Sequence, residues 1–160
     1  LSQTHKLLTK ENWRAVDIYA LIEPELTHVY GVERVNLQGP RIELNARAAV
    51  ALGMAIHELA TNAVKYGAFS QGGGQVSLSW KRIDDGNEDR VVFRWIESGG
   101  PLVSSGSGAG FGSQLMASTI TGSLHGAVET DWRPEGLVVE MTVPFETLGK
   151  TKEEVVYDIL

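Results

Sequence analysis

The chain has 160 residues, a length that suits one domain around one core, and its 42% apolar and 21% charged residues exclude a disordered chain. A net charge of −6 argues against a broad nucleic-acid footprint, and the absence of cysteine removes disulfides and thiolate metal sites. There is no apolar run of about 18 residues, so no membrane-spanning helix is predicted.

Residues 1–13 (LSQTHKLLTKENW) lack the charged-then-apolar layout of a secretory signal, and the chain does not start with Met. A piece of a longer protein is expected, and residues 1–10 read as the end of a helix. Residues 14–28 (RAVDIYALIEPELTH) predict a short helix interrupted at or beside Pro24. Residues 34–44 (RVNLQGPRIEL) predict short strands around a Gly39-Pro40 turn.

Residues 45–66 predict the longest helix, with Asn45 as its N-cap. Leu52, Ile56, Leu59 and Ala63 fall on one core-facing stripe, and Gly67 is expected as a left-handed cap. Two strands follow, over 75–83 and 90–97, joined through Asp84-Asp85-Gly86-Asn87. Residues 98–110 form a Gly/Ser loop and residues 113–124 a helix. A closing hairpin spans 126–132 and 136–145, turning at Arg133-Pro134-Glu135. Residues 150–160 read as a tail or the start of a following segment. Strands outnumber helices and are joined mostly by turns, which favours an α+β layer sandwich over a doubly wound parallel sheet.

The long helix also has a polar face. At about 100° per residue, Glu58 and Asn62 lie about 40° apart, and Lys65 about 20° to the other side of Glu58. Tyr66 is close to Asn62. This face offers an amide oxygen suited to Mg²⁺, a carboxylate able to orient or deprotonate an attacking group, and an ammonium for phosphate oxygens. A solvated Glu/Lys face would have the same spacing.

Downstream, Glu97 ends a strand and is followed by Ser-Gly-Gly-Pro. Residues 110–113 read Gly-Phe-Gly-Ser and enter a helix. Glycines admit close backbone approach, and a helix start offers free N–H groups to anions. Gly110, Gly112 and Ser113 are therefore candidates to receive phosphate, and Glu97 to accept from an adenine amino group. A mobile surface loop would also be glycine-rich. Neither a Walker A sequence nor a dinucleotide fingerprint occurs.

Together these segments resemble the ATP-binding catalytic domain of sensor histidine kinases, within the GHKL superfamily. His57-Glu58-Leu59-Ala60-Thr61-Asn62-Ala63-Val64-Lys65-Tyr66-Gly67 is similar to the N box, Trp95-Ile96-Glu97-Ser98-Gly99-Gly100-Pro101 to the G1 box, and Gly110-Phe111-Gly112-Ser113 to the G2 box. His57 with Trp95 and Glu97 matches the signature of the HWE group.

The resemblance implies a two-layer α/β sandwich of the Bergerat type, its mixed, mostly antiparallel sheet covered on one face by helices. It makes Glu97 the adenine-reading carboxylate, Asn62 the Mg²⁺ ligand and Glu58 the catalytic carboxylate. Lys65 and Tyr66 then sit by the phosphates or ribose, and Gly99, Gly100, Gly110, Phe111, Gly112 and Ser113 line the ATP site. Residues 102–109 become the lid, with His57 and Trp95 as support; His57 can orient Glu58 or pack beside the helix.

The implied domain is 13–147. Residues 1–12 end an upstream dimerisation and phosphotransfer helix, and residues 148–160 form a tail or linker. No His-Arg-x-x-Asn-like phosphoacceptor motif occurs, so the acceptor histidine is expected on the upstream helical domain. The implied partners are ATP, that domain and a response regulator receiver, in the cytoplasm, with neither nucleic acid nor membrane contacted. A non-catalytic nucleotide-binding module and an anti-sigma-type serine kinase are the competing readings.

Overall fold

The structure, a computed structural model, describes residues 15–102 and 111–151. The predicted helix end over 1–10 and the tail beyond 151 lie outside the described residues, as do Gly110 and all but the first residue of the predicted lid.

The chain begins with β1 (Val16–Asp17) and α1 (Ile18–Ile22). Asp17 caps α1 by accepting from the Tyr19 amide at 3.1 Å. Pro24 falls in the turn before α2 (Thr27–Tyr30), which explains the predicted interruption. Next come β2 (Val35–Gln38) and β3 (Ile42–Leu44), on either side of Gly39-Pro40. These two strands belong to different sheets rather than to one hairpin. Trp80 packs at the break between them: its indole donates to the Pro40 carbonyl at 2.7 Å, and its ring occupies the space where a Cβ on Gly39 would stand.

Helix α3 (Ala46–Tyr66) matches its prediction. Asn45 Oδ1 accepts from the Ala48 amide at 2.9 Å, and Leu52, Ile56, Leu59 and Ala63 are all buried. The expected left-handed cap does not form: Gly67 has φ −121° and ψ −143°, and its N–H donates to the Ala63 carbonyl. A short 3₁₀ turn (Ala68–Ser70) leads to β4 (Gln75–Asp84) and β5 (Asp89–Ser98). Helix α4 (Phe111–Leu124) ends at His125, which takes the left-handed conformation at φ 54°, while the Gly126 amide reaches back to the Ile120 carbonyl. The chain closes with β6 (Ala127–Arg133), β7 (Gly136–Pro144), α5 (Phe145–Leu148) and β8 (Gly149–Thr151).

The main sheet has the order β2-β4-β5-β7-β6, with only β2-β4 parallel. Its inward face follows the period-two rule: Val76, Leu78 and Trp80 of β4, Val91, Phe93 and Trp95 of β5, and Val139, Met141 and Val143 of β7 are buried. They share one core with α1, α3 and α4, giving the α+β sandwich with helices on one face. A second sheet, β1-β3-β8, is antiparallel and had no counterpart for β8 in the sequence reading.

Asn45 joins the two ends of this arrangement. Besides capping α3, its backbone N–H donates to Leu148 O at 2.8 Å and its side-chain amide to Thr147 O at 3.1 Å. Asn45→Ala is expected to lower stability by about 1–2 kcal/mol, because it removes both the cap and the side-chain bond. Asn45→Asp keeps the cap and should lose less; equal losses in denaturant unfolding would refute this assignment.

Candidate functional site

The inward row of β5 runs Val91, Phe93, Trp95 and ends on Glu97. A position that the alternation assigns to the core thus carries a carboxylate, 5% exposed. Burying a charge is costly unless donors meet it. Two do: the Trp95 indole N–H donates to Oε2 at 2.9 Å and the Ala68 amide to Oε1 at 3.0 Å. Burial raises the Glu97 pKa above the ordinary carboxylate value, and the Trp95 and Ala68 bonds offset part of that rise. Each oxygen retains a lone pair for a further donor.

Gly67 is explained by this carboxylate rather than by helix capping. A Cβ there would lie 2.0 Å from Glu97 Oε1. Gly100 is similarly constrained, since its Cβ would lie 2.9 Å from Ala68 Cα. The Gly99-Gly100 turn after β5 therefore packs against the segment after α3, which brings two of the three sequence blocks together around Glu97.

On α3, Glu58 and Asn62 are half-buried, while Lys65 and Tyr66 are exposed, Tyr66 at 63%. Among the described residues, no hydrogen bond or ion pair engages Glu58, Asn62 or Lys65. His57 is exposed and its Nδ1 lies 3.4 Å from Glu25 Oε2. Its partner is thus the turn before α2, not Glu58. No group of three or more His, Cys, Asp or Glu gathers among the described residues. A cation at Asn62 would need ligands from the molecule it accompanies, which fits Mg²⁺ bound with phosphates and does not fit an all-protein cage.

The third block supplies the start of α4: Phe111, Gly112 and Ser113 form its first turn, and Gly110 lies outside the described residues. A cavity of about 630 Å³ lies by the opposite end of β5, lined by Asn87, Arg90, His125 and Phe145 among others. It contains none of the predicted site residues. Trp80 and Met141 are core residues, and His28 is exposed. Arg34, which no sequence motif marks, donates to three carbonyls of the segment after α3.

Glu97 sets a pH dependence. Its raised pKa means the folded chain holds the proton to a higher pH than the unfolded chain. The resulting stability is complete below the unfolded pKa and is lost as pH rises through the folded value. Relative to Glu97→Gln, the wild type is expected to lose stability in urea unfolding as pH rises above the ordinary carboxylate range. A relative gain instead would show that the two donors outweigh burial.

No family model matches the chain. Over 147 residues it is 37% identical to the blue-light-activated histidine kinase of Brucella anthropi, an alignment covering 90% of this chain and 30% of that protein. It is 35% identical over 146 residues to the blue-light-activated histidine kinase of Brucella ovis, with the same coverage. The chain thus spans about a third of the length of these relatives.

Its fold is similar to the histidine kinase domain of the Erythrobacter litoralis blue-light activated histidine kinase, with TM-score 0.60 at 18% identity, over 79% of this chain and 60% of that one. Full-length ShkA in complex with AMPPNP gives TM-score 0.59 at 23% identity, over 86% of this chain and 31% of that one. The catalytic domain of the histidine kinase ThkA gives TM-score 0.51 at 16% identity, over 91% of this chain and 95% of that one. The chain shares the fold of histidine kinase catalytic domains, and by its sequence relatives it belongs to the histidine kinase family.

Proposed function

We propose that the chain is the ATP-binding catalytic domain of a two-component sensor histidine kinase of the HWE group. It takes Mg²⁺-ATP and passes the γ-phosphoryl to a histidine on an upstream helical domain, for relay to a response regulator receiver. The observation that carries this reading is the buried Glu97 carboxylate, set beside the Gly99-Gly100 turn and the end of α3. The hydrogen bond from Trp95 to Glu97 supplies a physical reason for the Trp-x-Glu spacing. Further support is the AMPPNP bound by ShkA, a protein of similar fold.

In this reading the free lone pairs of Glu97 accept the exocyclic amino group of adenine. Glu58 orients or deprotonates the attacking group, one helical turn from Asn62. Asn62 would hold Mg²⁺, which when bound offsets phosphate charge. Lys65 and Tyr66, exposed at the end of α3, contact the phosphates or ribose. Gly110, Phe111, Gly112 and Ser113 bring backbone N–H groups to the phosphates, with residues 102–109 as the lid. His57, against Glu25, supports the packing of α3.

Residues 1–12 are read as the end of the upstream dimerisation helix, and the use of ATP puts the domain in the cytoplasm. Catalysis here is positioning plus charge stabilisation. With the full-length protein and labelled ATP, Asn62→Ala is expected to lower autophosphorylation by roughly 100-fold or more. Labelling equal to wild type would make this reading wrong.

A further inference from the structure

Arg34 stands between α2 and β2, half-buried, where its carbonyl accepts from the Val76 amide at 2.9 Å. Its guanidinium is turned onto the segment after α3. Nε donates to Gly74 O at 3.0 Å, and one terminal nitrogen donates to Ala68 O at 3.2 Å and to Gln71 O at 2.5 Å. The guanidinium carbon also lies 5.2 Å from the Phe69 ring centroid. Phe69 in turn stacks on Tyr30, with centroids 4.1 Å apart and planes 11° from parallel.

One cation thus gathers the carbonyls of a whole turn, and an aromatic stack fixes its apolar side. Ala68 links the turn to the Glu97 carboxylate. Ala68 gives its carbonyl to Arg34 and its N–H to Glu97 Oε1. Gly74 and Gly100 leave no space for Ala68 to shift, since a Cβ on either would lie within 3 Å of it.

We infer that Arg34 is a positioning residue for nucleobase recognition: it holds Ala68 in place, and Ala68 holds the Glu97 carboxylate at the angle that accepts from the base. The inference rests on the proposed reading of Glu97. Arginine is required because its planar fork reaches three carbonyls in different directions, whereas a lysine ammonium is a point charge on a flexible stem. Arg34 is in this respect unlike Lys65, whose charge remains available for phosphate.

The test measures ATP and GTP binding to the full-length kinase by titration calorimetry, for wild type, Arg34→Ala, Arg34→Lys, Glu97→Ala and the Arg34→Ala/Glu97→Ala pair. Arg34→Ala is expected to weaken ATP about tenfold, to lower the preference for ATP over GTP, and to add little in the Glu97→Ala background. A merely structural role would weaken both nucleotides equally, or add in full to Glu97→Ala, and either outcome overturns the inference. If Arg34→Ala does not fold, Arg34→Lys decides: a reduced preference supports the inference and an unchanged one overturns it. Undiminished ATP preference in Glu97→Ala alone overturns the reading of Glu97, and the inference with it.

Discussion

A carboxylate taken out of water must be met by donors, and here the core provides two from different parts of the chain. Trp95 shares the strand of Glu97, while Ala68 comes from the turn after α3. This pairing ties the end of the central strand to the end of the long helix. The glycines around it follow from the same demand. Gly67 leaves room for the carboxylate and Gly100 for the turn that donates to it. Neither amide nor hydrocarbon could replace Glu97 without leaving at least one buried N–H facing no acceptor.

Much of this was legible because the signals were periodic. The stripe on α3, the Asn45 cap and the two strands joined through Asp84-Asp85-Gly86-Asn87 each depend on local spacing, and each is present in the fold. Glu97 was legible too, as the carboxylate that ends a strand just before Ser-Gly-Gly-Pro. Contacts between distant segments were not. Gly67 was assigned to capping because helix ends attract glycine, but the group that excludes a side chain there lies thirty residues on. The partner of His57 is Glu25, and the three acceptors of Arg34 lie in a turn that carries no motif. Likewise, β8 is three residues long and polar, with no alternation to announce it.

The net charge of −6 poses a problem for the proposed polyanionic ligand. Several arginines are already committed within the fold. Arg82 forms a two-pronged pair with Asp89 and stacks on Phe145, Arg41 pairs with Asp17, and Arg34 is spent on carbonyls. On the proposed reading, the attraction for phosphate must come from Lys65, backbone N–H groups and a bound cation. Electrostatic help is then concentrated at one edge of an otherwise acidic body, which disfavours non-specific polyanions more than it disfavours nucleotide.

The second sheet has a kinetic consequence. Strand β3 is paired on one side with β1 and on the other with β8, and the latter pairing joins Leu44 to Gly149 across more than a hundred residues. Closing so long a loop for a three-residue strand returns few hydrogen bonds for its entropy. The main sheet, built largely from hairpins, incurs less of that cost. The small sheet is therefore the natural last step of folding.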